Sequence, residues 1–149
     1  MHPSAVVFLF RLLKLSIIRN ICVMEKRIIN TDNAPNPIGP YSQAVKAGDF
    51  LFLSGQVGFD PKSGELITDD IERETRQVME NLKAVLTAAG TDFSRVIKTS
   101  IFLSDMGLFA RVNEVYGSYF TGEYPARETV AVKTLPRNAN VEISMIVMP

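Results

Sequence analysis

Apolar residues recur along this 149-residue chain with two different periods. Between Asp69 and Ala89 they return every three or four positions. Ile71, Val78, Leu82, Val85 and Ala89 form one stripe, as on an amphipathic helix. Asp69 followed by Glu72 matches a capping box at its start, and Glu72 and Arg76 are spaced as an i,i+4 pair on its wet side. Gly90 stands where a helix is expected to stop. The same spacing turns Phe109, Val112, Tyr116, Tyr119 and Phe120 toward the core side of a second helix over Met106–Phe120. The other apolar runs are short and rich in β-branched and aromatic residues. Lys26–Asn30 reads as a short first strand, and Ser42–Ala47 and Phe50–Ser54 flank Gly48-Asp49 as a hairpin. Val96–Leu103 is a further strand, and Thr129–Thr134 and Val141–Met148 close the chain around a loop at Pro136. Asp32–Pro40, with three prolines and a glycine, and Asp60–Gly64 read as loops.

The order ββαβαββ predicts an α+β domain of two layers, with two helices on one face of a mixed sheet. In the closing strand Val141, Ile143 and Val147 take one side, while Ile146 and Met148 share the other with Glu142. A strand apolar on both sides needs two covers. Two helices supply one of them, so a second copy of the chain is expected to supply the other.

Residues 1–24 break the pattern. They are mostly apolar, hold no acid, and carry Arg11, Lys14 and Arg19. Bases inside the run and no small-residue cleavage pattern argue against a secretory signal. Arg11 and Lys14 at mid-run argue against a membrane span. Two readings remain for this extension: a start read too early, with Met24 opening the natural chain, or an acid-free targeting segment. The expected organisation is thus an apolar basic extension over residues 1–24 and one domain over residues 25–149, cytoplasmic and without stable membrane association.

Charge sharpens the division. The whole chain has 16 basic and 16 acidic residues, but the extension holds +3, leaving 13 basic and 16 acidic residues, or −3, from Glu25 onward. The only His, His2, and the only Cys, Cys22, also lie in the extension. Residues 25–149 therefore have no imidazole for proton transfer near neutral pH, no thiolate, and only oxygen ligands for a metal ion. Their mild acidity gives no support to a nucleic-acid partner. What remains is Arg and Lys, carboxylates, hydroxyls, amides and water. A site built from these would bind an anion through Arg and handle protons through a carboxylate.

Arg127, in Tyr124-Pro125-Ala126-Arg127, sits where a proline-stiffened loop meets a strand, and its planar fork suits a carboxylate. The plainer alternative is a surface pair with Glu123 or Glu128. Glu142 opens a strand apolar on both sides, so it is either solvated at the strand end or desolvated with a raised pKa. Tyr41 follows Gly39-Pro40, Ser54-Gly55 ends a strand, and Asn113 lies on the second helix; packing, a plain turn and a wet face are their alternatives.

Together these residues resemble the reactive intermediate deaminase family, also called YjgF or L-PSP. The resemblance runs from about Lys26 to Met148. It rests on Asn33-Ala-Pro with Ile38-Gly-Pro-Tyr-Ser-Gln43, Ser54-Gly-Gln56, Val96-Ile-Lys-Thr99, Asn113-Glu-Val-Tyr116, Tyr124-Pro-Ala-Arg127 and Val141-Glu-Ile143. Each piece is weak, and their order and spacing together are specific. With Arg127 and Glu142 both present, the chain looks most like the RidA subgroup. The resemblance implies a fold like the small trimeric chorismate mutases, with a barrel-like core and sites between subunits. It implies hydrolysis of 2-imino acids, tautomers of enamines such as 2-aminoacrylate, to 2-keto acids and ammonia, with no cofactor. It assigns Arg127 and Glu142 to catalysis and Tyr41, Ser54, Asn113 and Thr129 to substrate binding. Thr129 stands where some members have Cys, which excludes a thiol there. Glu128 replaces a usually small residue, and a second charge near Arg127 would either compete for its fork or narrow the substrate range.

Three other functions compete with this one. An endoribonuclease that inhibits translation fits poorly with −3 and no His. A trimer that binds small molecules without turnover keeps the same pocket. A chorismate mutase rests on fold analogy alone.

Overall fold

The structure, a computed structural model, describes residues 25–149. The extension expected over residues 1–24 lies outside the described residues. Six strands and two α-helices follow in the order β1 (Lys26–Ile29), β2 (Ala44–Ala47), β3 (Phe50–Gln56), α1 (Ile71–Ala88), β4 (Val96–Leu103), α2 (Phe109–Gly117), β5 (Ala126–Ala131) and β6 (Val141–Val147). The order is thus βββαβαββ. The expected ββαβαββ leaves out the short first strand read at Lys26–Asn30, which pairs in the sheet with β2.

The strands form one mixed sheet ordered β1-β2-β3-β6-β4-β5. All neighbours are antiparallel except β4 and β5, which are parallel and joined across α2. The hairpin between β2 and β3 turns at Gly48, whose φ of 58° suits a residue without a Cβ. Among the described residues no helix is long and apolar enough to cross a membrane.

Pairing register sorts the sheet's two faces, because directly paired residues point the same way. Val141, Ile143, Met145 and Val147 are buried under the helices, together with Leu51, Leu53, Ile101 and Leu103 of the flanking strands. Val78, Met79, Leu82, Val85 and Leu86 of α1 and Val112 and Tyr116 of α2 complete this core. The opposite face is open. Ile28, Val45, Phe52 and Ile146 line up across four strands, and Ile28 and Phe52 are 42% and 45% exposed. Both helices therefore lie on one side, and the apolar second face expected from Ile146 is present.

Several boundaries differ from expectation. The N-cap of α1 is Asp70, not Asp69. Its Oδ1 accepts from the backbone N–H groups of Glu72 and Arg73 at 3.0 and 2.9 Å. Arg111 of α2 decides the matter by donating to Asp70 Oδ2 and Glu72 Oε1, both at 2.8 Å. Glu72 therefore pairs with Arg111 and not with Arg76, and the i,i+4 pair of this helix is Asp69 with Arg73. These contacts hold the Asp70 carboxyl below its ordinary range, the Arg73 N–H foremost. Ala89 caps the other end, and Gly90 takes φ 76° just beyond it, where a side chain would be strained. The second helix is shorter than Met106–Phe120. A 3-10 turn at Met106–Leu108 precedes it and Ser118 caps it, while Phe120 still packs into the core. Strand β5 starts at Ala126 rather than Thr129, because its parallel ladder with β4 begins at Lys98↔Ala126.

The proline-rich segment between β1 and β2 is fixed from inside by one amide. Gln43 is buried. Its Oε1 accepts the Thr31 N–H at 2.7 Å, and its Nε2 donates to the Thr31 and Pro35 carbonyls, each at 3.0 Å. The segment's backbone has no ladder, so this side chain supplies the partners it needs. Gln43→Leu, similar in volume, strands these groups. It is expected to lower the unfolding free energy on the order of 2 kcal/mol, measured by urea denaturation.

Candidate active site

Strand β6 lies inside the sheet, between β3 and β4. Glu142, its second residue, pairs with Phe102 and faces the open side. Its carboxyl is half-buried with no cation beside it, and burial alone pushes its pKa above the ordinary 4.5. Of the two alternatives for Glu142, the structure shows the desolvated one.

The neighbouring strand makes room for it. A bulge in β3 between Leu53 and Gln56 takes Ser54 and Gly55 out of register with β6. Gly55 then lies so close that a Cβ there would stand 2.0 Å from Glu142 Oε1 and 2.8 Å from its Cδ. Ser54 is fixed by its hydroxyl, which donates to the Ser42 carbonyl at 2.6 Å. Beside these residues the Tyr41 loop closes a cavity of about 720 Å³ that Glu142, Tyr41, Ser54, Gly55 and Arg137 line. The cavity also takes in Ile38, Phe59, Pro61 and Pro136, so its walls are largely apolar.

Arg127 lies elsewhere. It pairs with Thr99, which is fully buried under the helices, so it points to the helix-covered side near the sheet edge. Its Nη1 donates to Asn113 Oδ1 at 2.7 Å, and its guanidinium lies 5.2 Å from the Tyr116 ring centroid and 5.6 Å from that of Phe109. The aromatic faces and the amide fix the plane of the fork and leave other N–H groups free to bind. Burial raises the Tyr116 phenol, and Arg127 works against that shift. With Asn113, Tyr116, Tyr124 and Pro125, Arg127 lines a second concavity of about 450 Å³.

The sequence-predicted residues therefore fall into two groups within one chain. Tyr41, Ser54 and Glu142 meet at the first cavity, and Arg127 and Asn113 meet at the second. The sheet lies between the two groups, because Arg127 and Glu142 point to opposite faces. Thr129 joins neither cavity. It pairs with Ile101, and its buried hydroxyl has no partner among the described residues. The competition expected from Glu128 is absent. Glu128 pairs with Ser100 on the open face, bonds the Ser100 hydroxyl and the Lys98 ammonium, and is held below the usual carboxylate range chiefly by Lys98. The sequence reading missed Arg137, which no strand or helix pattern marks. Among the described residues no three His, Cys, Asp or Glu side chains are grouped to hold a metal.

The contact between Gly55 and Glu142 gives a direct test. Gly55→Ala puts a methyl group where the carboxyl sits, and the flexible carboxyl end must yield. The Glu142 side chain is expected to swing toward water and its pKa to fall back toward 4.5. Carboxyl-carbon NMR titration reads that shift, and an unchanged Glu142 titration would contradict the contact.

Known proteins share both the fold and the motifs. The profile of the family described as Endoribonuclease L-PSP matches residues 31–148. A RutC family protein of Pyrococcus horikoshii is 54% identical over 121 residues, covering 81% of this chain and 96% of its own. The mouse 2-iminobutanoate/2-iminopropanoate deaminase is 47% identical over 121 residues, covering 81% of this chain and 90% of its own. The crystal structure of RidA from an Antarctic Psychrobacter superposes with a TM-score of 0.80 at 42% identity, over 83% of this chain and 99% of that one. The six-stranded sheet, the order of the motifs and these likenesses agree, and the chain belongs to the reactive intermediate deaminase family of RidA and YjgF proteins.

Proposed function

We propose that the protein hydrolyses 2-imino acids such as 2-iminopropanoate and 2-iminobutanoate to 2-keto acids and ammonia, in sites shared between copies of a trimer. One observation carries this reading. Each chain holds a carboxylate anchor and a desolvated acid on opposite faces of its sheet, so a complete site requires Arg127 of one copy beside Glu142 of another. The open apolar face around Phe52 and Ile146 supports such an assembly, as does the similarity to the mouse deaminase.

The chemistry needs little more than these groups. Arg127 binds the substrate carboxylate with the N–H groups that Asn113 leaves free. Tyr41 and Ser54 bound the space beside Glu142, and Thr129 supports the strand behind Arg127. Glu142, ionised, orients a water against the C=N carbon and takes a proton as the C–O bond forms. It returns that proton to the nitrogen, which gives the neutral carbinolamine. Glu142 then takes the hydroxyl proton and delivers it to the same nitrogen; as C=O forms the C–N bond breaks, ammonia leaves with the bonding pair, and the 2-keto acid remains. Burial raises the affinity of Glu142 for a proton, which suits a group that must both accept and return one. Imines hydrolyse unaided in water, so the protein supplies position and one proton shuttle. An RNA-cleaving reading has less support, because residues 25–149 carry −3 and no His.

A serine dehydratase releasing 2-aminoacrylate should form pyruvate faster when the protein is added, and an unchanged rate would sink the deaminase reading. Arg127→Ala and Glu142→Gln are each expected to lose on the order of 100-fold or more in kcat/KM. Unfolded and refolded together in equal amounts, the two inactive variants should regain up to about a quarter of the wild-type rate, because random assembly rebuilds that share of interfaces with both native halves. No recovery in a mixture that demonstrably co-assembles would rule out the shared site. The rate should fall toward acid pH as Glu142 becomes protonated, and Gly55→Ala, which lets the carboxyl reach water, should move that acid limb downward.

A further inference from the structure

A buried carboxylate that the chemistry does not use lies behind the Glu142 wall. Glu74 on α1 is fully buried. Its Oε1 accepts the backbone N–H of Asn140 at 2.7 Å, and its Oε2 accepts Asn140 Nδ2 at 2.9 Å. A buried acid is costly to keep, and burial raises its pKa against the pull of these two donors. Leucine would fill such a place with less cost.

Asn140 is the last residue before β6, two positions ahead of Glu142. The loop it ends is strained. Arg137, which lines the Glu142 cavity, takes φ of 57°, a conformation that is costly for a long side chain, and Asn138 follows at 60°, which asparagine tolerates. Asn140 is the holding point. Glu74 grips it from the helix side, and from the sheet side its carbonyl accepts the Ser104 N–H at 3.0 Å while its Oδ1 meets the Ser104 hydroxyl at 3.1 Å.

The opposite cavity wall leans on the same helix. A Cβ at Gly58 would stand 2.8 Å from Glu74 Cγ, so only glycine lets that segment rest against Glu74. Two turns along α1, Asn81 Nδ2 donates to the carbonyls of Val57 and Phe59, at 3.2 and 2.8 Å. Val57 and Phe59 line the cavity that holds Glu142.

We propose that Glu74 is a positioning residue, which sets the Glu142 carboxylate against the substrate by clamping Asn140 and the Gly58 segment onto one helix. This rests on the deaminase reading above. In the shared site the capturing Arg127 belongs to another copy and is not held by this helix, so loosening the clamp should harm the chemical step more than binding.

Steady-state kinetics on the full chain test this with Glu74→Ala, Asn140→Ala and Glu74→Gln. The two alanine variants are expected to lower kcat by roughly ten- to a hundredfold, with KM changed by less than about twofold. Glu74→Gln keeps an acceptor for the Asn140 N–H and should retain most of kcat. If Glu74→Ala does not fold, Asn140→Ala carries the same expectation. A folded Asn140→Ala variant with wild-type kcat overturns the proposal, and so do losses that only track the fraction of folded protein. A wild-type protein without activity overturns the deaminase reading first. An active wild type beside an unaffected Asn140→Ala overturns the positioning role alone.

Discussion

Strand β6 is the constraint on which the rest of this structure depends. It is paired along both edges and fully buried at alternate positions, so it can neither shift in register by one residue nor turn over without exposing its buried side. Its odd positions are committed to the helix-covered core. Its even positions are thereby committed to the other side, and Glu142 is the first of them. The backbone under this carboxylate cannot move it out into water as a loop would, and the burial that results raises its pKa.

Arg127 shows the complementary arrangement. It sits on the edge strand β5, where the backbone is less constrained. Asn113 and two aromatic rings, rather than burial, hold its plane. The acid is set by the most enclosed strand and the cation by side chains around an open edge. Putting the two in one proposed site brings the best-anchored residue of one copy to the most accessible edge of another. The apolar row from Ile28 to Ile146 gives a physical reason for copies to meet.

Much of this was legible in the sequence where local periodicity was decisive. The stripe through Val78, Leu82 and Val85, the alternation in β6, and Gly90 as a stop signal are all local, and all appear in the fold. Choices made by distant partners were not legible. Asp69 has the capping-box spacing with Glu72, yet Asp70 is the cap, and its bond to Arg111 comes from α2. Ala126–Thr129 has no apolar pattern and becomes strand only through pairing with β4. The motifs named the residues on both sides of the site, but their separation by the sheet depends on the Thr99↔Arg127 and Phe102↔Glu142 registers. Gln43, Arg137 and Glu74 carry polar bonds or positive φ that no periodicity records.

Gly55 and Glu142 touch so closely that each is the mould of the other. One position lacks a side chain because the other has a long one, and neither choice makes sense alone. The mould is soft on one side, because the far end of the Glu142 side chain can swing away from an added methyl group. What the bare position 55 supplies is therefore the resting place of the carboxylate, not its presence. A bulkier residue there would keep the acid in the chain and lose its address.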